Sequence, residues 1–328
     1  MRTSLQQLCG DFIENRDTIR ATLGWESSYL YPVCAAIFAD QRRSADPQQL
    51  RDCRDALKAR TGVFSNFRST GKLPLIAMMA SDNDPEGRLE RSLELYDLLK
   101  THFFTSAYLP VAAMILAGLA PEGQYEAIAR RTRTLYDLMK SEHPFLTSAE
   151  DSVFAAMLAL SPLQDEEVVY ETEFCYQYLK PSFFSGNAVQ SLSHVLALAE
   201  GPVEEKCRRT LELFELLRAR GRKYGTGYEL ATLGVAALLP DSIQAIAADL
   251  IEVDDWLKGQ KGYGVFGLGR TQRMMHAAML VVSDSLPFGD NTALQGAAVG
   301  GVISLIAAQQ AAMCAAIAAS TAAATSAS

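Results

Sequence analysis

The segment Leu95-Tyr96-Asp97-Leu98-Leu99-Lys100 returns at a nearly constant interval along this chain. Each copy contains apolar positions and a closing base, and the second position is an aromatic residue in all but one copy. The later copies are Leu135-Tyr136-Asp137-Leu138-Met139-Lys140, Cys175-Tyr176-Gln177-Tyr178-Leu179-Lys180, Leu213-Phe214-Glu215-Leu216-Leu217-Arg218 and the degraded Val253-Asp254-Asp255-Trp256-Leu257-Lys258. Such a period, of about 40 residues, is typical of a structural repeat that is built from two helices. The segment therefore predicts an all-α helical-repeat protein.

A second recurring element lies between these segments and is rich in small apolar residues. Its copies are found at residues 35–39, 76–80, 112–116, 155–159, 195–199, 235–239 and 277–281. This element is apolar almost all round, as expected of a helix surrounded by protein, whereas the first element carries charges on one side. The sequence thus predicts an inner layer of small-residue helices and an outer layer of amphipathic helices.

The two elements combine into six helical pairs between about residues 29 and 258, with a seventh inner helix at about 270–283 and a first helix near 3–22. Repeat arrays grow as one unit because each repeat packs on its neighbours. We therefore predict one helical body at residues 1–290, followed by an Ala/Gly-rich C-terminal helix and tail at residues 291–328. The predicted fold is an all-α array of hairpins of ~40 residues, either an α/α toroid or an α-solenoid. The number of pairs and the apolar inner layer favour the toroid.

The connections that lead from outer to inner helices contain an aromatic residue followed by Ser, Thr or Gly. They include Phe103-Phe104-Thr105-Ser106, Phe145-Leu146-Thr147-Ser148, Phe183-Phe184-Ser185-Gly186 and Tyr224-Gly225-Thr226-Gly227. Their hydroxyl groups are suited to cap the helix that follows. We expect the aromatic rings to wedge between successive repeats.

Composition limits the partners and the compartment. A formal net charge of -8 argues against nucleic-acid binding, because neutralising phosphates requires a basic face. The basic runs at residues 130–133 and 218–223 are predicted to be solvated helix ends. The first helix contains Asp11, Glu14 and Asp17, which interrupt the apolar core that a secretory signal needs. We predict a cytoplasmic protein.

Several sequence features that resemble ligand motifs do not predict a site. The six cysteines include no C-x-x-C pair, so we predict free thiols, no metal site and no cofactor. The glycine-rich run at residues 262–269 follows no strand and precedes no G-K-[ST], which favours a lid or inter-repeat loop over a phosphate loop. Residues 252–255 resemble the acidic motif of toroidal terpene cyclases, but their register places them on an outer helix, away from any lumen.

The C-terminal segment has no charged residue after Asp290. Residues 294–319 are long enough to cross a bilayer, which takes ~20 residues. Three glutamines and the lack of flanking Lys or Arg count against insertion. An apolar seam with heptad spacing consists of Val299, Ile303, Ile306, Gln310, Met313 and Ile317. We predict a helix that docks on the body or on a second copy of the chain, giving a homo-oligomer, with membrane association through residues 294–319 as the alternative.

The candidate site residues are polar side chains on or near the inner helices. The set consists of Glu150, Asp151, Gln190, His194, Glu229, Arg270, Arg273 and His276. If the helices close into a ring, these side chains would converge on a polar, partly acidic lumen. Structural roles compete with this reading, because Ser148-x-x-Asp151 also fits a helix cap and His194 also fits a hydrogen-bonded core residue.

Two stretches, at residues 146–158 and 306–319, carry a resemblance to a known family. They read Leu146-Thr147-Ser148-Ala149-Glu150-Asp151-Ser152-Val153-Phe154-Ala155-Ala156-Met157-Leu158 and Ile306-Ala307-Ala308-Gln309-Gln310-Ala311-Ala312-Met313-Cys314-Ala315-Ala316-Ile317-Ala318-Ala319. They are similar to the bacterial domain of unknown function 4003 family, over essentially the whole chain. The resemblance implies an uncharacterised bacterial helical protein of about this length, and it implies no activity.

Three classes of function remain open at this point. The sequence favours a scaffold that binds a protein or peptide, which is a common use of helical-repeat surfaces. The alternative is an enzyme or small-molecule binder with its site in a toroid lumen, and a further alternative is a protein tethered to a membrane by its C-terminal helix. Polar side chains that converge from several inner helices would favour the lumen site. No motif decides whether the protein is an enzyme.

Overall fold

The structure is a computed structural model of the chain and describes residues 1–264, 267–285 and 317. Within these residues every regular element is helical, with fourteen α-helices and two 3₁₀ turns. The prediction of an all-α protein is therefore confirmed.

The helices alternate between two kinds after α1 (Thr3–Thr22). The largely buried helices are α2 (Leu30–Asp40), α4 (Lys72–Ala80), α6 (Leu109–Leu119), α8 (Asp151–Leu158), α10 (Gly186–Ala197), α12 (Leu230–Ala237) and α14 (Arg270–Ser285). The helices with one exposed face are α3 (Pro47–Arg60), α5 (Pro85–Lys100), α7 (Tyr125–Glu142), α9 (Asp165–Leu179), α11 (Val203–Ala219) and α13 (Ile243–Lys258). The 3₁₀ turns are Asn66–Arg68 and Lys180–Ser182.

Composition explains why the two kinds differ in burial. Every residue of α2 and of α12 is buried, because both helices consist almost entirely of small and apolar side chains. In α5 the buried residues include Leu89, Leu95 and Leu99, which form an apolar stripe, while the acidic residues and Lys100 of the helix are exposed. The helices thus show the burial that was predicted for inner and outer elements.

The described residues fall into two compact units. Unit I consists of residues 14–165 and Ile317, and unit II consists of residues 1–13, 166–264 and 267–285. In unit I the buried helices α2, α4, α6 and α8 pack side by side in this order, and α5 packs between α3 and α7. In unit II α12 packs between α10 and α14, and α13 packs on α11 and α14. The single body at residues 1–290 stays a prediction.

The predicted C-terminal helix and tail at residues 291–328 lie outside the described residues, with the exception of Ile317. This residue is helical and buried. Its Cδ1 is 3.7 Å from the position that a Cβ atom would take on Gly71, at the start of α4. Ile317 therefore packs beside the start of α4 within unit I, while the docking of the rest of the seam stays a prediction. Among the helices that the structure describes, none combines the length and the hydropathy that a membrane span requires.

Aromatic pairs join the connections to the recurring segment of the next outer helix. Three edge-to-face pairs, with ring centroids 4.9 to 5.2 Å apart, have this arrangement: Phe67 with Tyr96, Phe103 with Tyr136, and Phe183 with Phe214. Such pairs are favourable beyond the area that they bury. For these connections the prediction that a ring wedges between successive helical pairs is confirmed.

Other rings of the same connections face solvent, so the wedge prediction is wrong for them. Phe104 and Phe145 are each 99% exposed, and Phe184 is 98% exposed. Phe104 and Phe184 directly follow rings that pack inward. The backbone of these short connections therefore directs one ring to the protein and the next ring to water.

The first basic run is not simply a solvated helix end, because Arg131 caps a neighbouring helix. Its guanidinium donates to the carbonyl groups of Ala159 and Ser161, at 3.1 and 2.6 Å. It also donates to the carbonyl of Leu163 and pairs with Asp165. A helix C-terminus leaves carbonyl groups unpaired and carries a partial negative charge, both of which favour a cation. The predicted solvated role is wrong for Arg131.

In unit II, cations of neighbouring helices also cap helix ends, at two places. Arg209 of α11 donates to the carbonyl of Ala237, at 2.8 Å, and so caps α12. On α9 an acid, Glu171, takes the place that Arg131 has one repeat earlier. The buried Lys206 supplies the cation instead, 2.6 Å from Glu171 and 2.8 Å from the carbonyl of Ala199. The helix ends are thus capped by side chains of neighbouring helices.

Candidate functional site

The fifth copy of the recurring segment, on α13, has Asp254 where the other copies have Tyr or Phe. Asp254 is only 2% exposed. A carboxylate therefore occupies a buried position that a ring fills elsewhere. Because an unpaired buried carboxylate is very unfavourable, this position requires cationic partners.

Two arginines provide the partners of Asp254. Arg273 of α14 donates from Nε to Oδ1 at 2.6 Å and from Nη2 to Oδ2 at 3.3 Å. Arg222, in the turn after α11, donates from Nη1 to Oδ2 at 2.9 Å. Arg222 also makes two hydrogen bonds of 2.7 Å to Asp255, which lower the pKa of Asp255 and raise the pKa of Arg222. The cluster joins the ends of α11, α13 and α14.

This ion pair replaces the aromatic pair of the earlier copies. Arg222 precedes Asp254 along the chain by nearly the same interval at which the inward-packing rings precede their partners. The replacement has two physical consequences. The contact becomes charged, and an aspartate fills much less volume than the tyrosine or phenylalanine found at this position in the other copies.

A cavity of about 250 Å³ lies beside the cluster. Its lining residues are Gly221, Arg222, Lys223, Asp254, Lys258, Arg270, Arg273 and Met274. Five of these eight residues are Lys or Arg and one is an acid, in a chain whose formal net charge is -8. A cleft lined by one sign of charge raises the local concentration of the opposite ion. The charge of this lining therefore favours an anion over a cation.

Three of the cations that line the cavity form no salt bridge with the aspartates of the cluster. The salt bridges at the cavity involve Arg222 and Arg273, whereas Lys223, Lys258 and Arg270 form none with the described residues. Arg270 also begins α14, so the backbone N–H groups of that helix start add positive partial charge near the cavity. These groups are available to a ligand without breaking an ion pair of the protein.

The lining residues are mostly positively charged hydrogen-bond donors. Guanidinium and ammonium groups are donors that match the oxygens of carboxylates and phosphates. No group of three or more His, Cys, Asp or Glu side chains in the described part of the chain is placed to hold a metal ion.

Two of the predicted lumen residues, Arg270 and Arg273, line this cavity. Glu229, the residue before α12, does not line it, but accepts a hydrogen bond of 3.3 Å from Gln272 in the first turn of α14. The polar start of α14, which the sequence identified, thus contributes both to the cavity and to a contact with the start of α12.

Gln190, His194 and His276 are buried helix residues that do not line the cavity. Gln190 and His194 lie on α10, and each is 2% exposed. The His276 ring packs on Phe12 and Tyr263, and its Nδ1 is 2.7 Å from the Tyr263 hydroxyl. Tyr263 therefore ties the glycine-rich loop to α14. A shared lumen for these residues stays a prediction.

Glu150 and Asp151 belong to unit I, where they begin α8. The backbone N–H of Ser148 donates to Asp151 Oδ2 at 2.8 Å, which is one of the two hydrogen bonds of the capping arrangement that the sequence offered as the alternative to a functional role. Asp151 is buried, and this burial raises its pKa to about 7. A carboxyl group that titrates near neutral pH makes the stability of unit I depend on pH.

Replacing Asp151 with Asn should stabilise the protein at pH 8. Between the unfolded pKa of 3.8 and the folded pKa of about 7, the folded state keeps a proton that the unfolded state has released. The free energy of unfolding of the natural protein should therefore fall as the pH rises through this window. We expect Asp151→Asn to gain ~1–3 kcal/mol at pH 8 and much less at pH 4, in urea unfolding followed by circular dichroism. Glu122→Gln is the control, because it removes an exposed acid that does not act on Asp151. An equal gain at both pH values would contradict this explanation.

The sequence prediction missed Arg222, Lys223, Asp254 and Lys258. The sequence contained a signal for this site, because the fifth copy of the recurring segment has Asp254 where the other copies have an aromatic residue. In the structure the second basic run ends next to Asp254. The predicted register on an outer helix is right. That this segment lies away from any lumen stays a prediction, and the structure adds that Asp254 belongs to the buried stripe of α13. The prediction of a solvated role is also wrong for Arg222, which two carboxylates hold.

Comparison with known proteins identifies a family. A family model described as "Protein of unknown function (DUF4003)" matches residues 15–311 of the chain. The matched range includes all the residues that line the cavity. No curated protein and no solved structure matches the chain.

Proposed function

We propose an anion-binding function for this chain, which belongs to the DUF4003 family of proteins of unknown function. Membership confirms the family resemblance that the sequence carries. The ligand that we propose is a small molecule bearing a phosphate group, bound in the cavity of unit II. The observation that carries the proposal is the set of five Lys and Arg side chains around one cavity whose buried acid is already paired.

Size and charge select this class of ligand. At about 250 Å³ the cavity is slightly smaller than the usual ligand sites, which span roughly 300–1,000 Å³, so it suits a small ligand. Three cations without an acidic partner favour a multiply charged anion over a single carboxylate. A phosphate monoester carries about -1.5 to -2 charges at neutral pH and three acceptor oxygens. Phosphate therefore satisfies more of these donors than a carboxylate does.

Asp254 acts in this proposal as a positioning residue. Its carboxylate accepts hydrogen bonds from both Arg222 and Arg273, so both guanidinium groups are fixed in the wall before a ligand arrives. Fixing these side chains in advance reduces the conformational entropy that binding would otherwise cost. Lys223, Lys258 and Arg270 would then make the direct contacts with the anion.

The proposal belongs to the small-molecule alternative of the sequence analysis. The protein- or peptide-binding scaffold, the bacterial origin, the cytoplasmic location, the choice between toroid and solenoid, and the homo-oligomer through the C-terminal helix stay predictions. A lack of anion binding, together with a stable complex with a peptide, would favour the scaffold over our proposal.

Titration calorimetry with pyrophosphate tests the proposal. We expect Lys223→Ala and Arg270→Ala each to weaken binding by about tenfold, because each removes a charged donor. Affinity should also fall as salt is added, since the charges at this site are partly exposed. Arg220→Ala is the matched control, because it removes the same charge from an exposed residue that does not line the cavity. Equal losses in all three variants, or no binding by the natural protein, would refute the proposed site.

A further inference from the structure

Four aromatic rings of unit I stand fully in solvent. Trp25 is 105% exposed, Phe64 101%, and Phe104 and Phe145 each 99%. They recur with nearly the period of the repeat, and each lies in the connection that leads into a buried helix. Single exposed apolar residues are common on proteins, but complete exposure at one recurring place is not a product of core packing.

These connections lie beside one another along one edge of unit I. Lys72, at the start of α4, pairs at 2.7 Å with Glu26 in the connection before α2. A Cβ atom on Gly71 would lie 3.3 Å from the carbonyl oxygen of Ala107, in the connection before α6. Because α6 packs on α8, the connection before α8 continues the row. We name the four exposed rings and their connections the aromatic edge.

The connections hold these rings outward. Phe67 is fully buried against Tyr96, which anchors the connection that exposes Phe64. In the next connection Phe103 packs on Tyr136, and Phe104 follows it into solvent. In both connections a packed ring thus anchors the backbone close to the exposed ring.

The backbone at Trp25 supports a role outside the chain's own core. Its φ of 74° lies in the left-handed region, which is unfavourable for a bulky side chain. Its ring obtains no burial in return. Strained residues of this kind persist where the strained geometry serves a function.

The aromatic edge has no excess of acids, in contrast to the chain as a whole. Residues 20–29, 58–72, 100–108 and 140–150 contain seven Lys and Arg and three Glu, and three of these cations pair with acids outside the ranges, namely Asp55, Glu90 and Asp97. With these partners the edge has seven cations and six acids, whereas the whole chain has a net charge of -8. Basic residues in the last turns of α1, α3, α5 and α7 supply five of the seven: Arg20, Lys58, Arg60, Lys100 and Lys140. Rings and cations therefore occupy the same edge.

We infer that the aromatic edge docks on the surface of a lipid bilayer that contains anionic lipids. Rings that enter the boundary between headgroups and acyl chains bury apolar area, while neighbouring cations meet the anionic headgroups. With neighbouring helices about 8–10 Å apart, the four rings would form a row about 30 Å long. A bilayer accepts such separate protrusions without a preformed surface, whereas a protein partner would need a matching pocket for each ring.

Binding of the full-length chain to sedimented vesicles tests this inference. We expect strong binding to vesicles with about 30% phosphatidylglycerol in phosphatidylcholine, weak binding to phosphatidylcholine alone, and release at high salt. The chain has two tryptophans, so Trp256→Phe leaves Trp25 as the only reporter. Its emission should shift to the blue on binding and be quenched by brominated lipid.

Variants identify the surface that binds. Replacing Phe64, Phe104 and Phe145 together with Ser should lower the vesicle partition coefficient at least about a hundredfold, without changing the melting temperature, because no buried contact is lost. Trp25→Gly should weaken binding while leaving the melting temperature unchanged or higher, since glycine accepts a positive φ. The matched control is Tyr170→Ser, which removes a 62% exposed ring from α9 in unit II.

The inference would be overturned if the natural chain did not bind vesicles, or if it bound equally to vesicles with and without anionic lipid. Unchanged binding by the triple variant would also overturn it, because the membrane contact would then lie elsewhere in the chain. Loss of self-association in the triple variant, with no vesicle binding by the natural chain, would assign the rings to contacts between copies of the protein.

Discussion

Asp254→Ala is expected to lower the free energy of unfolding by about 3–5 kcal/mol, because it leaves a buried arginine without its acid. The side chain of Arg273 is only 9% exposed and has both of its hydrogen bonds to Asp254. The substitution should affect Arg222 less, because Arg222 keeps its two hydrogen bonds to Asp255. Urea unfolding followed by circular dichroism measures the loss.

Two further variants separate the buried pair from the exposed pair. Asp255→Ala should cost at most ~1 kcal/mol, because Asp255 is 54% exposed and surface ion pairs contribute little. The double variant Asp254→Ala with Arg273→Met should recover most of the stability, since no unpaired buried charge remains. If Asp254→Ala cost no more than Asp255→Ala, the buried cluster would not have the energetic role assigned to it.

Arg131→Met is expected to lower the free energy of unfolding by about 2–4 kcal/mol. Its guanidinium serves three carbonyl groups after α8 and pairs with Asp165, and hydrogen bonds to charged groups contribute ~1.5–3 kcal/mol each. In the variant, water replaces part of the lost hydrogen bonding, because the Arg131 side chain is 27% exposed. Methionine keeps the alkyl part of the side chain, so the loss reports on the cap.

The neighbouring residue provides the control for this prediction. Arg130 is exposed, and Arg130→Met removes the same charge from the same helix. We expect it to change the stability by less than ~0.5 kcal/mol. Hydrogen exchange should show faster exchange at the end of α8 in Arg131→Met alone. Similar stability losses in the two variants would show that Arg131 acts only through its charge.

The helices could be predicted because their signals are local. The first helix was placed near residues 3–22, and α1 is Thr3–Thr22. Small apolar residues predicted the buried helices because a helix without a polar face must be surrounded by protein. The recurring segment likewise predicted where the outer helices end, since its base lies in the last turn of α5, α7, α11 and α13. The prediction is wrong for α9, which ends before Lys180.

Side-chain direction within the connections could not be predicted in the same way. Phe103 and Phe104 are the same residue type in adjacent positions, yet one ring packs on Tyr136 and the other is 99% exposed. The backbone of the connection decides between them, and the sequence pattern does not encode it. The role of Arg131 similarly depends on where the end of the neighbouring helix lies.

The candidate site was predicted in part. Arg270 and Arg273 were selected because they give an apolar helix a polar start, and both line the cavity. Their partners Arg222 and Asp254 come from other segments of the chain, after α11 and within α13. Only the packing of α11, α13 and α14 brings them together. The aspartate at an aromatic position was the available signal, and its meaning depended on these neighbours.

Diffraction from crystals soaked in tungstate, a heavy analogue of phosphate, tests the anion site most directly. We expect an anomalous peak in the cavity, within hydrogen-bonding distance of Lys223, Lys258 or Arg270. The peak should be absent from crystals of a Lys223→Ala, Arg270→Ala double variant and present in Arg220→Ala crystals. A cavity that stays empty at saturating tungstate, or a peak found only at other basic residues, would contradict the proposed function.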